Sequence, residues 1–374
     1  MCVMGRRPGV ALIAVLAALA VPASASAQVE PRVVGGNNTT IEEYPWQAAV
    51  VFDSAKEPGG PFQRQFCGGS LITPSIVLTA AHCVYDNDPD DDDSLVDPDD
   101  VNVVLGQTHL IGAPPSSEFD IQGVAYQADF DPSFGPGDWA IPNNDVAYLV
   151  LAAPYPAATT IDIAGPDEAA LWDTDSPEEI TGWGATAESG PGSGGSNTLQ
   201  VATVPVVADP DCTEDYGVFF DSASMVCAGY PEGGIDTCQG DSGGPMQAPL
   251  ADGGYRLVGI TSWGDGCARP NAPGVYTRVA GDLLRPAVAS QVADLEVAFG
   301  LPSEDVIGSG GQSTPNQPPR TGGPGTDTPP ATLPIGSTGP VPQLTDPFAK
   351  CRRVLTKIKR KRCVKKVRKR LQAA

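Results

Sequence analysis

Ser242 sits within Asp236-Thr237-Cys238-Gln239-Gly240-Asp241-Ser242-Gly243-Gly244-Pro245. Glycines on both sides of it allow a tight turn whose successive N–H groups can face one point. Attack on an amide carbonyl needs that arrangement, because donors must wait for the oxyanion beside the nucleophile. A Gly-rich loop carrying one Ser is by itself an ordinary turn; the ten residues together are far more specific. The serine also needs a base, and the chain has only His82 and His109 to offer. His82 lies in Leu78-Thr79-Ala80-Ala81-His82-Cys83, where small residues permit close packing and Cys83 can staple the loop. The base needs an acid to orient it. Asp145, in Asn143-Asn144-Asp145-Val146-Ala147-Tyr148-Leu149, opens a hydrophobic strand and suits a semi-buried carboxylate, although alone it reads as a strand-start cap.

The elements that must position these groups are short strands. From about Val33 to about Ala298, runs rich in Val and Ile alternate with Gly, Pro, Asn and Asp; examples are 47–51, 75–79, 101–105, 146–151, 201–207 and 257–263. Such spacing predicts an all-β sandwich or barrel. The region closes with 282–299, where Leu283, Leu284, Val288, Val292 and Leu295 recur at helical spacing. Residues 300–348 change to Pro, Gly, Ser and Thr, a composition that cannot form a core and reads as a linker. Residues 349–374 form a short basic tail. The acidic run 86–100, with four successive Asp at 90–93, reads as a solvated loop, with a calcium site as the sharper alternative.

The chain of 374 residues opens with Arg6 and Arg7, an apolar run from Val10 to Val21 and the small residues Ala23-Ser24-Ala25-Ser26-Ala27. That is the pattern of a signal peptide over residues 1–27, with a run too short to span a bilayer. Eight of the nine cysteines lie beyond it, an even count without any C-x-x-C pair, so disulfides are expected and a metal site or cofactor is not. The formal net charge of −22 hides a split. Residues 350–374 carry 13 Lys or Arg and no acid, whereas residues 28–349 hold 8 basic residues against 45 acids, a net of −37. A body so acidic repels phosphates, which excludes nucleic-acid binding by it.

These motifs, with Val33-Val34-Gly35-Gly36, Phe66-Cys67-Gly68-Gly69-Ser70-Leu71, Thr181-Gly182-Trp183-Gly184, and Ser262-Trp263-Gly264 through Gly274-Val275-Tyr276, follow one order along 33–299. In them the chain resembles a trypsin-like serine protease of the chymotrypsin fold, of a leaner, bacterial secreted type. The resemblance implies two packed six-stranded antiparallel β-barrels with a C-terminal helix. It implies a triad of His82, Asp145 and Ser242, an oxyanion hole from the N–H groups of Gly240 and Ser242, and alignment of the substrate backbone by Ser262 and Gly264. Asp236 would form the floor of a primary pocket with open walls at Gly264 and Gly274, selecting Arg or Lys in protein and peptide substrates. A cut after Arg32 would remove propeptide 28–32 and free the Val33 amine to pair with Asp241; since Arg32 fits the expected specificity, self-activation follows as a hypothesis. The expected disulfides are Cys67–Cys83, Cys212–Cys227 and Cys238–Cys267. The calcium-loop carboxylates of relatives have no clear match, Gln107 standing where the first would be.

Cys351 and Cys363 remain. On one helix they would lie about 18 Å apart, beyond the roughly 7 Å a disulfide allows, so the tail is either a hairpin closed by them, the reading preferred here, or a segment pairing with another chain. The tail resembles basic tails of some bacterial exported proteins and would tether a secreted, monomeric enzyme to an anionic cell-envelope surface. A non-catalytic surface-binding protein on a protease scaffold is the competing reading.

Overall fold

The computed structural model describes residues 33–85, 95–132, 134–135, 139–189, 194–312 and 317. The expected signal peptide, Arg32, most of the acidic run, and the stretch beyond 317 with Cys351 and Cys363 lie outside the described residues.

Twelve strands form two closed barrels. The first comprises β1 (Gln47–Phe52), β2 (Gln65–Thr73), β3 (Ile76–Thr79), β4 (Val101–Leu105), β5 (Glu118–Tyr126) and β6 (Ala147–Leu151). The second comprises β7 (Pro177–Gly182), β8 (Gln200–Val207), β9 (Met225–Ala228), β10 (Pro245–Pro249), β11 (Tyr255–Trp263) and β12 (Gly274–Thr277). Every pairing in the rings is antiparallel, in the order β1-β2-β3-β6-β5-β4 and back to β1. The second ring, β7-β8-β9-β12-β11-β10 and back to β7, repeats that order. Closure removes the exposed edges that open sheets must otherwise protect. Strand β8 shows the local cause: Gln200, Ala202, Val204 and Val206 are buried while the residues between them are more exposed, the period of two that one buried face requires. Strand β6, an unbroken apolar run, is buried at every position.

The barrels meet along a buried polar seam. Trp46 Nε1 donates to Gln247 Oε1 at 2.6 Å, and Thr181 Oγ1 to Gln47 Oε1 at 2.5 Å. The Tyr44 and Tyr255 hydroxyls both donate to Glu179 Oε2, at 2.6 and 2.9 Å. Except for the Tyr255–Glu179 bond, which lies within the second barrel, each pair joins the two barrels or the segment leading into one, so these polar groups are satisfied only when the barrels dock. Helix α1 (Asp209–Tyr216) carries Cys212, and α2 (Leu284–Phe299) closes the domain. Leu284, Val288, Val292 and Leu295 give α2 its buried stripe, and Gly300, at φ 65°, ends it with an N–H bond to Glu296 O. Its last residue, Phe299, sits so close to β5 that a Cβ on Gly123 would lie 2.3 Å from the ring.

Composition assigns the residues after Gly300 to a linker, but the structure places residues 301–312 and Gln317 against the body. Ile163 N–H donates to Val306 O and Gly308 N–H to Ile163 O, both at 2.8 Å, and Val306 is buried. The fully buried Arg256 pairs with Glu168 at 2.9 Å, and Gly311 N–H reaches the same carboxylate at 2.8 Å. Gln317 bridges Tyr255 N–H and Thr160 O at 2.7 and 3.1 Å. Pro- and Gly-rich composition hides this because the strap bonds mainly through its backbone. A chain ending at Gln317 should melt as the full chain does. One ending at Gly300 loses the burial of Val306 and the cover of Arg256. That should cost about 3 kcal/mol, or roughly 5–10 °C in melting temperature by calorimetry.

Candidate active site

Thr79, the last residue of β3, lies opposite Ala147, the first of β6. The chain continues from that pair into His82 on one side and precedes it with Asp145 on the other, which brings the two side chains together. His82 Nδ1 lies 2.8 Å from Asp145 Oδ2, and the His82 backbone N–H donates to Asp145 Oδ1 at 2.9 Å. The carboxylate fixes the proton on Nδ1 and leaves Nε2 to accept. Two further donors come from the second barrel: Ser262 Oγ reaches Asp145 Oδ2 at 2.6 Å, and Thr277 Oγ1 reaches Asp145 O at 3.0 Å. Burial would raise the Asp145 pKa, but the His82 charge and the hydrogen bonds from His82 and Ser262 together hold it below the usual value. Burial likewise disfavours charge on His82, and the Asp145 charge and hydrogen bond overcome it, so the imidazole pKa is raised above 6.5.

Ser242 stands beside the Cys67–Cys83 disulfide, whose Cys83 Sγ lies 3.8 Å from His82 Nε2 and 3.7 Å from Ser242 O. No hydrogen bond joins the Ser242 hydroxyl to His82 among the described residues; such contacts often tighten only with substrate in place. The backbone of the loop gives a sharper signal. The N–H groups of Thr237, Cys238, Asp241, Gly243 and Gly244 all donate to protein acceptors. Those of Gly240 and Ser242 meet none among the described residues. The Gln239 N–H also meets no acceptor among them, but the two free donors that flank Asp241 are an anion site in waiting. Gly240 is at φ 96°, a conformation that favours glycine.

Asp236 is buried, with Oδ1 accepting from Thr237 N–H at 2.8 Å and Oδ2 from Ala268 N–H at 2.9 Å. A Cβ on Gly274 would fall 2.6 Å from its Oδ1, whereas one on Gly264 would meet nothing nearer than 3.5 Å. Burial pushes the Asp236 pKa up to about 7, against the pull of the two N–H groups. Asp241 is fully buried and accepts from Gly184 and Cys238 N–H groups at 2.8 and 3.0 Å; burial raises its pKa to about 6. A Cβ on Gly182 or Gly184 would press to within 2.1 or 2.5 Å of the Asp241 carboxyl, which accounts for both glycines. Among the described residues no Lys or Arg side chain pairs with either carboxyl. Val33 is fully buried, and Val34 O accepts from Asp236 N–H at 3.2 Å.

The family model described as Trypsin matches residues 33–284. The chain belongs to the trypsin family. A trypsin of Saccharopolyspora erythraea is 40% identical over 247 residues, covering 66% of this chain and 93% of that protein. Trypsin-1 of Astacus astacus is 35% identical over 257 residues, 66% of this chain and 95% of the relative. A vitellin-degrading protease of Bombyx mori is 34% identical over 271 residues, 71% and 88% of the two chains. The protein is thus a serine protease, and its two-barrel fold is the one this family implies.

The three disulfides inferred from the family motifs are all formed, with Cα separations of 6.3 Å for Cys67–Cys83, 6.2 Å for Cys212–Cys227 and 5.4 Å for Cys238–Cys267. Among the described residues the group able to hold a metal is Cys67, His82 and Cys83, and its sulfurs are bonded to each other instead. Sequence reasoning missed Thr277 and Gln65, whose side chains touch the site residues Asp145 and Gly240. Each directly neighbours a recognised motif, the only signal that pointed toward them.

Because the base must be neutral to accept a proton, turnover should fall as pH drops through a value above 6.5. Asp145→Asn removes the charge that raises the His82 pKa. It should lower kcat about 10⁴-fold, in the range this family shows for the change, and move the acid limb of the kcat/KM profile downward. An unmoved limb would detach Asp145 from His82.

Proposed function

We propose that this serine protease is a secreted endopeptidase that cuts peptide bonds after Arg or Lys. The observation that carries the specificity is Asp236, a buried carboxyl without a cation among the described residues, facing a space that Gly264 and Gly274 leave open. A substrate guanidinium or ammonium supplies the missing charge, and a buried acid discriminates strongly against side chains that cannot.

Ser242 Oγ attacks the carbonyl carbon while His82 Nε2 takes its proton, and Asp145 stabilises the imidazolium that results. The N–H groups of Gly240 and Ser242 receive the oxyanion. As the tetrahedral adduct collapses, His82 passes its proton to the leaving amine, and a water then repeats the sequence to release the acyl group. Asp241 makes the case for activation: a buried carboxylate accepting only backbone N–H groups is completed by the Val33 amine once the chain is cut after Arg32. Three disulfides fit an oxidising exterior, and among the described residues no helix is long and apolar enough to cross a membrane. The enzyme acts as a monomer, and the basic tail beyond residue 349 holds it at an anionic envelope surface.

An Arg-reporter peptide should be hydrolysed by the Val33-terminated enzyme, and not by its Ser242→Ala form. Asp236→Ser should lower kcat/KM for that peptide by on the order of 10³–10⁵. Benzamidine, which occupies only the primary pocket, needs the ionised carboxylate. Its affinity should therefore hold above pH 7 and weaken as pH falls, by about tenfold per unit well below the Asp236 pKa. Affinity independent of both pH and Asp236 would sink the assignment. Arg32→Gln should leave an inactive precursor, and an unchanged rate of cutting after Arg32 in the Ser242→Ala precursor would exclude self-activation.

A further inference from the structure

The loop 238–242 holds its shape through its carbonyls. Cys238 O accepts from Asp241 N–H at 2.9 Å, Gln239 O from Ala185 N–H at 2.7 Å, Asp241 O from Gly244 N–H at 2.8 Å and Ser242 O from Gly68 N–H at 2.7 Å. The fifth carbonyl, that of Gly240, is held by a side chain instead: Gln65 Nε2 donates to it at 2.7 Å, across 175 positions of sequence and from the opposite barrel. The same amide nitrogen reaches Cys67 O at 3.1 Å, so it is braced against its own strand.

We propose that Gln65 is a positioning residue for the oxyanion hole, acting by fixing the orientation of the Gly240 peptide. Gly240 has no side chain, and its φ of 96° lies in a region where glycine turns at little steric cost. Its N–H belongs to the peptide shared with Gln239 and its carbonyl to the one shared with Asp241. The two planes meet at the Gly240 Cα, so anchoring the carbonyl limits the shift of that Cα that would carry the N–H off its line to the oxyanion. The same peptide is held on its other side by Asp241 N–H to Cys238 O, but the Gly240 carbonyl is held by the Gln65 amide, the one of these contacts that a substitution can remove. Gln65 does not titrate, so the brace holds at every pH at which His82 can act as base. The residue begins β2, the strand that also bears Cys67, and thus ties the oxyanion donors to the barrel that carries His82.

The inference rests on the serine-protease chemistry of the Ser242 site and not on the Arg preference. The test uses the Val33-terminated enzyme with whichever reporter peptide the wild type turns over best, so the kcat and aldehyde readouts survive a failure of the Arg assignment, and the benzamidine readout alone shares it. Gln65→Met removes the donor at similar size, and Gln65→Glu replaces it with an acceptor. The Met variant should lose about tenfold in kcat with little change in KM, a fraction of the 10²–10³ that an oxyanion donor contributes. The Glu variant should lose more at neutral pH. Affinity for a peptide aldehyde, whose adduct places an oxyanion in the hole, should fall by the same factor as kcat. Affinity for benzamidine should stay at the wild-type value. A Met variant with wild-type kcat overturns the proposal, as does loss of benzamidine and aldehyde affinity together, which would mark Gln65 as a general packing residue.

Discussion

The structure depends on keeping one carboxylate charged inside the protein. Asp145 is almost completely buried, and an ion in that position is tolerated only when a cation or several donors surround it. Its partners are divided between the barrels. The backbone and imidazole of His82 come from the first, and the hydroxyl of Ser262 from the second, where Thr277 also holds the Asp145 backbone carbonyl. Neither barrel alone can satisfy the group. The polar seam of Gln47, Thr181, Trp46 and Gln247 therefore matters for chemistry as well as stability, because it holds the two half-shells of donors in register.

Other buried acids are treated differently. Asp236 and Asp241 are held chiefly by backbone N–H groups, and burial raises their pKa values to about 7 and about 6. Each is a site short of one positive charge. Glu178, on β7 opposite Val204, is buried without a hydrogen-bond partner for either oxygen, and burial drives its pKa well above the usual carboxyl value. The carboxyl group thus appears once with its charge favoured by donors, twice short of a cation and once with its charge disfavoured by burial, and the number and kind of donors decide which.

Much of this was legible in the sequence, and the reasons are local. The strand runs at 47–51, 101–105 and 201–207 fall within a residue or two of β1, β4 and β8, because Val- and Ile-rich segments bounded by turn residues have few other ways to be buried. The helical spacing of Leu284, Val288, Val292 and Leu295 located α2 for the same reason. The residues around His82, Asp145 and Ser242 were found because small residues and glycines leave a strong local signature. What escaped notice was held together across long sequence distances. Gln65 and Thr277 are ordinary residues until folding brings Gly240 and Asp145 beside them. The contacts that the strap, residues 301–312 and Gln317, makes with the body run through backbone groups and one glutamine, which composition does not register.

That strap also sets a direction. Strand β11 begins at Tyr255, whose N–H is held by Gln317, and ends at Ser262 and Trp263 beside the triad. Its nine residues span roughly 25 Å at about 3.3 Å per residue. Tension on the chain beyond Gln317 is therefore delivered to the rear of the second barrel, where it is borne by the Ile163–Val306 bonds and the Arg256–Glu168 pair. The catalytic groups lie at the far end of the strand, outside that line of force. A pull on the chain at Gln317 would thus load the rear of the second barrel before it reached the cleft.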